Sequence, residues 1–244
     1  MQEYQLKLID KKEIASGTKS FIFEKPQGFE FKAGEFMYWT LPELKHPDER
    51  GPMRHFTISS SPTEDYLSLT CRMREGSGYK KTLDELSLGS LIQGRGPTGV
   101  YVMEDDVTNP QVFLAGGIGI TPFRSRIKYI FDKKLSTQIH LIYANNTPEQ
   151  TSFKEELDSI SQQNQNIKVT YVMSKPEESK VLWDGPTGYI DSKLIQDLTT
   201  HYQLPTPPTF WVCGPPPMVD AMEEILQSLN IGKDQIKTEK FTGY

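Results

Sequence analysis

The chain has 244 residues, of which 36% are hydrophobic and 24% charged, with a net charge of −5. This composition is typical of a folded, soluble protein with one large domain or two ordinary ones, and it lacks the concentrated basic face that nucleic-acid binding needs. The N-terminal segment is polar and no stretch is apolar over the length of a membrane span, so we expect a cytoplasmic protein or the soluble part of a larger assembly.

The cysteine content limits the cofactors that this chain can bind. Cys71 and Cys213 are the only cysteines, a count that fits a reducing compartment at least as well as one disulfide. An iron–sulfur cluster needs about four thiolates, so the chain cannot hold one by itself. The four histidines show no ligand spacing with either cysteine, and no metal site is predicted.

Short segments of alternating apolar and polar residues dominate the first 107 residues. Turn-forming clusters, such as residues 26–28, separate them. This pattern favours an antiparallel barrel or sandwich, and one short helix is predicted at residues 79–86. The predicted strands are residues 4–9, 21–24, 36–41, 56–59 and 66–73.

The pattern changes near residue 108 to alternating strands and helices. The apolar run at residues 112–115 is typical of a buried parallel strand. Alternation of this kind predicts a doubly wound parallel sheet. We therefore predict two domains, residues 1–107 and 108–244. The other predicted strands are 139–143, 167–173 and 209–213, and the predicted helices are 122–133, one around residues 153–160, and 217–229.

A glycine-rich loop follows the first strand of the second half. Gly116, Gly117 and Gly119 let the backbone approach a ligand closely, and Pro122 suits the first turn of the helix that follows. The N-terminus of that helix would direct free amide groups at an anion such as a pyrophosphate. A tight strand-to-helix turn without a ligand is the alternative interpretation. The spacing differs from the usual dinucleotide fingerprint, so the loop alone does not identify a nucleotide.

Two further segments draw attention for their chemistry. Residues 210–218 form another strand that leads into a turn and a helix, which predicts that Cys213 and Gly214 lie at the same sheet edge as the glycine loop. A buried thiol with no function is the alternative for Cys213. Residues 54–62 begin with an arginine and continue as a hydroxyl-rich strand, which alone could be an ordinary half-exposed strand.

Together these segments resemble the ferredoxin–NADP reductase superfamily over essentially the whole chain. Residues 54–57 match its flavin motif, and residues 76–83 resemble its phosphate-contacting loop and short helix. Residues 94–99 look like its glycine–proline turn, and residues 116–122 and 213–218 match its two NAD(P)-site motifs. The resemblance implies a Greek-key β-barrel that binds FAD, followed by an NAD(P)-binding α/β domain.

The resemblance also implies a role for each matching residue. Arg54 would pair with the flavin pyrophosphate, Phe56 would lie against the isoalloxazine ring, and Thr57 would offer a hydroxyl to its hydride-accepting nitrogen. Cys213 would hold the nicotinamide, which makes it and Thr57 the two candidate catalytic residues. The further candidates on the FAD side are Ser59, Arg72, Gly76, Ser77 and Lys80. The further candidates on the NAD(P) side are Gly116, Gly117, Gly119, Thr121, Ser174, Gly214 and Pro215.

The C-terminus and the adenosine side of the nucleotide site leave two questions open. Either Phe241 or Tyr244 would cover the flavin, or both would be surface residues. Ser174 is followed by Lys175, where NADPH-using members of the superfamily carry arginine, and two glutamates follow the lysine. Lysine lacks the bidentate fork of arginine, so the sequence favours NADH slightly, or the use of both nucleotides.

The sequence therefore predicts a flavin-dependent oxidoreductase that passes electrons from NADH or NADPH through FAD to a separate protein or small-molecule acceptor. A ferric-siderophore or flavin reductase is the alternative within the same fold. A flavin electron-transfer module of a larger complex, without turnover of free NAD(P)H, is the alternative from another class. Neither the acceptor nor the oligomeric state is indicated by a local motif.

Overall fold

The structure, a computed structural model, describes residues 1–105, 107–200 and 207–242, with the backbone alone over residues 198–200. Its strands form one six-stranded antiparallel sheet and one five-stranded parallel sheet. The six-stranded sheet comes first in the chain, as the sequence predicts.

The first sheet closes on itself as a barrel. Its strand order is β4-β3-β6-β1-β2-β5, and an antiparallel bridge between Ile58 and Leu69 joins the two ends of that order. A single helix, α1 (Gly78–Glu85), follows β5. The strands are β1 (Gln2–Ala15), β2 (Thr18–Glu24), β3 (Phe36–Thr40), β4 (Met53–Thr57), β5 (Tyr66–Arg72) and β6 (Leu91–Thr98).

The second sheet is parallel throughout, with the strand order β11-β10-β7-β8-β9. Helices connect its strands, as in a doubly wound fold. The strands are β7 (Gln111–Gly116), β8 (Ile139–Asn145), β9 (Ile167–Met173), β10 (Thr209–Gly214) and β11 (Ile236–Lys240). The helices are α2 (Thr121–Lys133), α3 (Lys154–Gln163), α4 (Ser192–Thr200) and α5 (Pro216–Ser228).

Strand β7 shows why this sheet needs helices on both faces. Phe113 and Ala115 point to a core that includes side chains of α2 and α3. Val112 and Leu114 point to a second core that includes side chains of α4 and α5. Both sets are nearly inaccessible to solvent. The predicted doubly wound sheet is confirmed.

Three elements differ from the sequence-based expectation. Residues 94–99 were expected to form a turn, but they lie mostly within β6, which continues to Thr98. This prediction was wrong because strand pairing with β1 and β3 outweighs the weak strand propensity of glycine and proline. Strand β11 and helix α4 were not predicted at all. Strand β11 reads as Ile-Lys-Thr-Glu-Lys, a polar edge strand with too few apolar residues to stand out.

Helix α2 makes several side-chain contacts with the barrel. The guanidinium of Arg124 donates hydrogen bonds to the carboxylates of Glu64 in the barrel and Glu156 in α3. The next residue, Ser125, donates through its hydroxyl to the carbonyl of Ser60 at 2.6 Å. All these contacts are largely shielded from water. The start of α2 is thereby fixed against the barrel.

Candidate functional site between the barrel and the parallel sheet

A small cavity of about 100 Å³ lies between the barrel and the carboxyl edge of the parallel sheet. Phe56, Thr57, Arg72 and Lys80 line it from the barrel side. Residues of the sheet domain line the opposite side, and they are Ile118, Thr121, Glu239, Lys240, Phe241 and Thr242. The two halves of the chain therefore form one cavity.

A larger cavity of about 360 Å³ adjoins the first and shares His55, Phe56, Lys80 and Thr242 with it. Its other lining residues come from the β3–β4 loop, from β4 and from the segment between β5 and α1. They are Asp48, Arg50, Arg54, Arg74, Gly76 and Ser77. The small cavity thus has the aromatic side chain of Phe56 in its lining, and the larger one is lined by Arg50, Arg54, Arg74 and Lys80.

The basic compartment already contains an anion from the chain itself. The Asp48 carboxylate accepts hydrogen bonds from the guanidinium of Arg54 and from the amide of Tyr79 at 2.9 Å. It also accepts one from the Ser77 hydroxyl at 3.3 Å. Guanidinium, hydroxyl and helix N-terminal amide are the donors that bind phosphate oxygens. The donor set therefore fits a phosphate group, and Asp48 occupies part of it.

Arg54 is more heavily engaged than the sequence suggests. Besides Asp48, its guanidinium donates to the carbonyls of Arg50 at 2.9 Å and Gly51 at 2.8 Å. It also lies 5.1 Å from the ring centroid of Tyr79. Arg54 thus holds the β3–β4 loop against α1 as well as lining the larger cavity.

The remaining barrel candidates divide into those that line a cavity and one that does not. Ser77 is the N-cap of α1 and accepts from the amide of Lys80, whose ammonium group donates to the carbonyl of Arg72 at 2.8 Å. Arg72 itself donates to Gln150 in the second domain at 2.8 Å. Ser59 is fully buried in a hydroxyl cluster with Ser68 and Thr70, and it lines neither cavity.

The glycine loop after β7 packs closely against the loop after β10. A Cβ on Gly119 would lie 2.3 Å from the carbonyl oxygen of Cys213, and one on Gly116 would lie 2.1 Å from the sulfur of Met218. Gly117 is different, since it has a φ of 51° and open space around its Cα. Gly119 is therefore required for packing against the backbone, whereas Gly116 meets the end of a flexible side chain. Gly117 is the one that leaves room for a ligand.

Other candidates lie along the same sheet edge. The Thr121 hydroxyl donates to the carbonyl of Ile118 at 3.1 Å and lines the small cavity. Gly214 is buried and Pro215 is exposed at the start of α5. Ser174, at the end of β9, donates to the Asn146 side chain at 3.0 Å. In the strand order, β9 is two positions from β7, so Ser174 lies apart from the small cavity.

Cys213 has no exposed area and lines neither of the two cavities. Burial raises the pKa of its thiol well above the usual value, and the charge of Glu239 acts in the same direction. The thiol is therefore neutral and unsuited to nucleophilic attack.

Glu239 was missed by the sequence analysis and lines the small cavity. It pairs with Cys213 in the register of β10 and β11. Its buried Oε2 has no hydrogen-bond partner among the described residues. Burial raises the pKa of this carboxyl to about 7, against the opposing effect of Arg126. No local pattern in β11 distinguishes Glu239 from the polar residues beside it.

Of the two C-terminal aromatic candidates, Phe241 lines the small cavity. Its amide donates to the carbonyl of Gly214 at 2.9 Å, and its ring packs against the core beneath β10. Tyr244, the other candidate, lies outside the described residues.

Comparison with known proteins agrees with both halves of this architecture. Residues 5–102 match the family described as the oxidoreductase FAD-binding domain. Residues 113–224 match the oxidoreductase NAD-binding domain. Within the part of the chain that the structure describes, no helix has the length and apolar character needed to cross a membrane.

Curated relatives include reductases that serve other proteins. NADH-cytochrome b5 reductase 1 of Mortierella alpina is 30% identical over 244 residues, with 95% of this chain and 77% of that protein covered. The glycine betaine monooxygenase reductase subunit of Chromohalobacter salexigens is 28% identical over 226 residues, which cover 92% of this chain and 60% of that protein. For several other fungal cytochrome b5 reductases, the match likewise covers only about 60% of their length.

Solved structures share the two-domain fold. The cytochrome b5 reductase domain of Ulva prolifera nitrate reductase aligns with a TM-score of 0.81 at 21% identity, covering 98% of this chain and 97% of that one. A ferredoxin NADP+ reductase from Neisseria gonorrhoeae, with bound FAD and NADP, aligns with a TM-score of 0.80 at 21% identity, covering 98% and 99%.

The fold and the matched domains define an oxidoreductase with one FAD-binding and one NAD-binding domain. The chain belongs to the ferredoxin–NADP reductase superfamily. The sequence-based predictions of family, fold and cofactor class are confirmed.

Proposed function

We propose that this chain oxidises NADH or NADPH with FAD held between its two domains, and that it passes the electrons to a separate acceptor. The observation that carries this proposal is the small cavity, because Phe56 and Thr57 face Thr121 and Glu239 across it. A redox reaction between two bound cofactors needs such a shared compartment, from which water is largely excluded.

The residues around the two cavities supply binding and orientation. The proposed hydrogen-bond donors to the FAD pyrophosphate are Arg54, Ser77 and the first backbone amides of α1. Asp48 either moves out of this donor set when FAD binds or stays beside the pyrophosphate. Phe56 is the proposed stacking surface for the ring system, and the Thr57 hydroxyl is the proposed donor to its edge. FAD, when bound, supplies the redox chemistry, and the protein positions it.

The second domain is proposed to hold the nicotinamide nucleotide. Gly117 lets the pyrophosphate of this nucleotide approach the backbone closely at the start of α2. Thr121 and the neutral Cys213 thiol lie on the nicotinamide side. Phe241 lines the small cavity and would have to share this space with the nicotinamide, so we propose that it moves during turnover.

NADH is the proposed preferred nucleotide. The Lys175 ammonium is paired with Glu178 at 2.7 Å, which leaves less of its charge for a 2′-phosphate. Residues 174–179 contain no arginine. The adjacent Glu149 carboxylate accepts from the amide of Lys180 at 2.8 Å and adds a negative charge that a 2′-phosphate would meet.

The acceptor is proposed to be another protein or a small oxidant, as for the relatives named as reductases of cytochrome b5 or of a monooxygenase. A cytoplasmic, reducing compartment is part of the proposal, because Cys71 and Cys213 are free, buried thiols in different sheets.

A steady-state assay with NADH and ferricyanide tests this function. The enzyme should reduce ferricyanide in a reaction that depends on both NADH and bound FAD. FAD-loaded protein that fails to reduce ferricyanide with either NADH or NADPH would instead support a module without turnover.

A further inference from the structure

Arg126 is a charged residue of helix α2 that is buried in the core, where most side chains are apolar. Its side chain is 1% exposed. The guanidinium carbon lies 4.2 Å from the ring centroid of Trp211 and 4.5 Å from that of Tyr101. Burying a charge is costly, and contact with two aromatic faces offsets part of that cost. An apolar residue of the same size would fill this space without the penalty.

The guanidinium also reaches the barrel. It donates to the carbonyl of Tyr101, and more weakly to that of Ala33 at 3.4 Å. A Cβ on Gly34 would lie 2.8 Å from its Nη2, so the turn before β3 rests directly on it. In the same segment, the carbonyl of Glu35 accepts from the amide of Ile58 at 2.9 Å. Arg126 thus supports the barrel wall that carries Thr57.

On its other side, Arg126 contacts the strand that carries Cys213. Trp211 and Cys213 lie on the same face of β10, since they are two residues apart and share one core. The positive charge opposes the rise that burial causes in the pKa of Cys213 and in that of Glu239. One side chain therefore contacts or influences both walls of the small cavity.

We propose that Arg126 is a positioning residue for hydride transfer, because its aromatic-caged guanidinium holds the barrel wall and the β10–β11 edge at a fixed separation across the small cavity. The proposal rests on the proposed function, since it assigns a residue to that reaction. It adds a residue that lines neither of the two site cavities and belongs to none of the motifs.

The test compares Arg126→Met with Arg126→Lys in the FAD-loaded protein. Methionine fills a similar volume without charge, and such replacements of buried ions are often neutral or stabilising. Lysine keeps the charge but loses the planar fork. Thermal unfolding is measured for each variant, together with anaerobic stopped-flow reduction of the flavin by NADH over a range of pH around 7. Arg95→Met is the matched control, since Arg95 stacks on Tyr38 at 5.0 Å and lines neither site cavity.

We expect Arg126→Met to unfold at or above the wild-type temperature and yet to reduce flavin about tenfold more slowly. The midpoint of its flavin-reduction rate against pH should rise, because removing the cation that favours the Glu239 carboxylate raises the pKa of that carboxyl. Arg126→Lys should keep the wild-type midpoint with a reduced rate, and Arg95→Met should match the wild type. If Arg126→Met does not retain FAD, the rate and midpoint of Arg126→Lys decide the question.

Two failures are distinguishable. If the wild-type flavin is not reduced by NADH or NADPH, the proposed function is wrong and the role of Arg126 with it. If the wild type is reduced and the Arg126 variants match it in rate and pH midpoint, only the positioning role is wrong. Lower stability without any change in rate would show that Arg126 serves packing alone.

Discussion

At the scale of single residues, Arg54 combines two tasks that the sequence suggests only in part. It lines the larger cavity and also anchors the β3–β4 loop through Asp48 and the loop carbonyls. Arg54→Ala should weaken FAD binding by about 10- to 150-fold, because a charge-assisted contact contributes about 1.5–3 kcal/mol. The measurement is the FAD dissociation constant of the apoprotein by flavin fluorescence. Arg95→Ala is the control, and equal affinities in the wild type and in Arg54→Ala would contradict this role.

Glu239 gives the site a titration close to neutral pH. Its folded pKa of about 7 exceeds the ordinary value of 4.5, so the folded state binds this proton more tightly. The free energy of unfolding therefore falls as pH rises from about 4.5 to about 7. Glu239→Gln removes this effect, and above pH 7 it should be more stable than the wild type by at most about 3 kcal/mol. The difference should vanish toward pH 4.5.

Thermal unfolding of the FAD-loaded proteins across this pH window measures the Glu239 effect. Glu13→Gln, which replaces an exposed carboxylate on β1, should show no such difference. A Glu239→Gln stability difference that stays constant with pH would contradict the raised pKa.

The sequence analysis missed several site residues for one physical reason. Glu239 reaches the cavity because β11 pairs in register with β10, and Asp48 reaches the phosphate donors because its loop folds onto α1. Arg126 is buried against Tyr101 and Trp211, which lie 25 or more residues away in sequence. Such contacts arise from tertiary packing, and no local pattern carries them. The motif residues were easier to find because each motif is contiguous.

At the scale of elements, the glycine loop after β7 separates packing from ligand access. Gly119→Ala should destabilise the protein by about 1–3 kcal/mol, because its Cβ would overlap the Cys213 carbonyl. Gly117→Ala should lower the free energy of unfolding by about 1–2 kcal/mol, because this residue has a positive φ. The magnitude of the free energy of NADH binding should fall by more than this amount. Denaturant unfolding and NADH titration of both variants measure the two effects. If Gly117→Ala and Gly119→Ala lose NADH affinity to the same extent as each other, and likewise stability, this separation of ligand access from packing is wrong.

The proposed nucleotide preference depends on the residues that follow β8 and β9. Lys175→Ala should change the ratio of kcat/KM for NADPH and NADH by less than about threefold, about 0.7 kcal/mol, because Glu178 already pairs with this lysine. Glu178→Gln, which frees the lysine, should raise the relative use of NADPH. Steady-state kinetics with both nucleotides give these ratios. A wild-type preference for NADPH above about a hundredfold, roughly 2.7 kcal/mol, would show the NADH assignment to be wrong.

Elements with strong apolar periodicity were predictable, and weakly apolar ones were not. Strands β7 and β8 and helix α2 follow from their buried residues. Strand β6 contains two glycines and a proline, and its form depends on pairing with β1 and β3. The edge strand β11 is polar on most of its length. In both cases the neighbouring strands, and not the local sequence, determine the structure.

At the scale of the whole molecule, the proposed reaction depends on a fixed relation between barrel and sheet. Arg124 binds Glu64 and Glu156, Ser125 binds the carbonyl of Ser60, and Arg126 packs against Tyr101. These three consecutive residues of α2 connect the parallel-sheet half of the chain to the barrel half. Because these residues are buried, water is excluded and their hydrogen bonds are strengthened. The domain boundary near residue 108, predicted from the change of pattern, remains a prediction.

The central claim is tested most directly by an anaerobic titration of the purified protein with NADH, followed through its visible absorption spectrum. We expect a yellow protein with one FAD per chain, bleached by stoichiometric NADH and reoxidised by ferricyanide. NADPH, titrated in parallel, should bleach it no more readily. A colourless protein that neither FAD nor FMN reconstitutes, or a bound flavin that neither nucleotide reduces, would contradict the account.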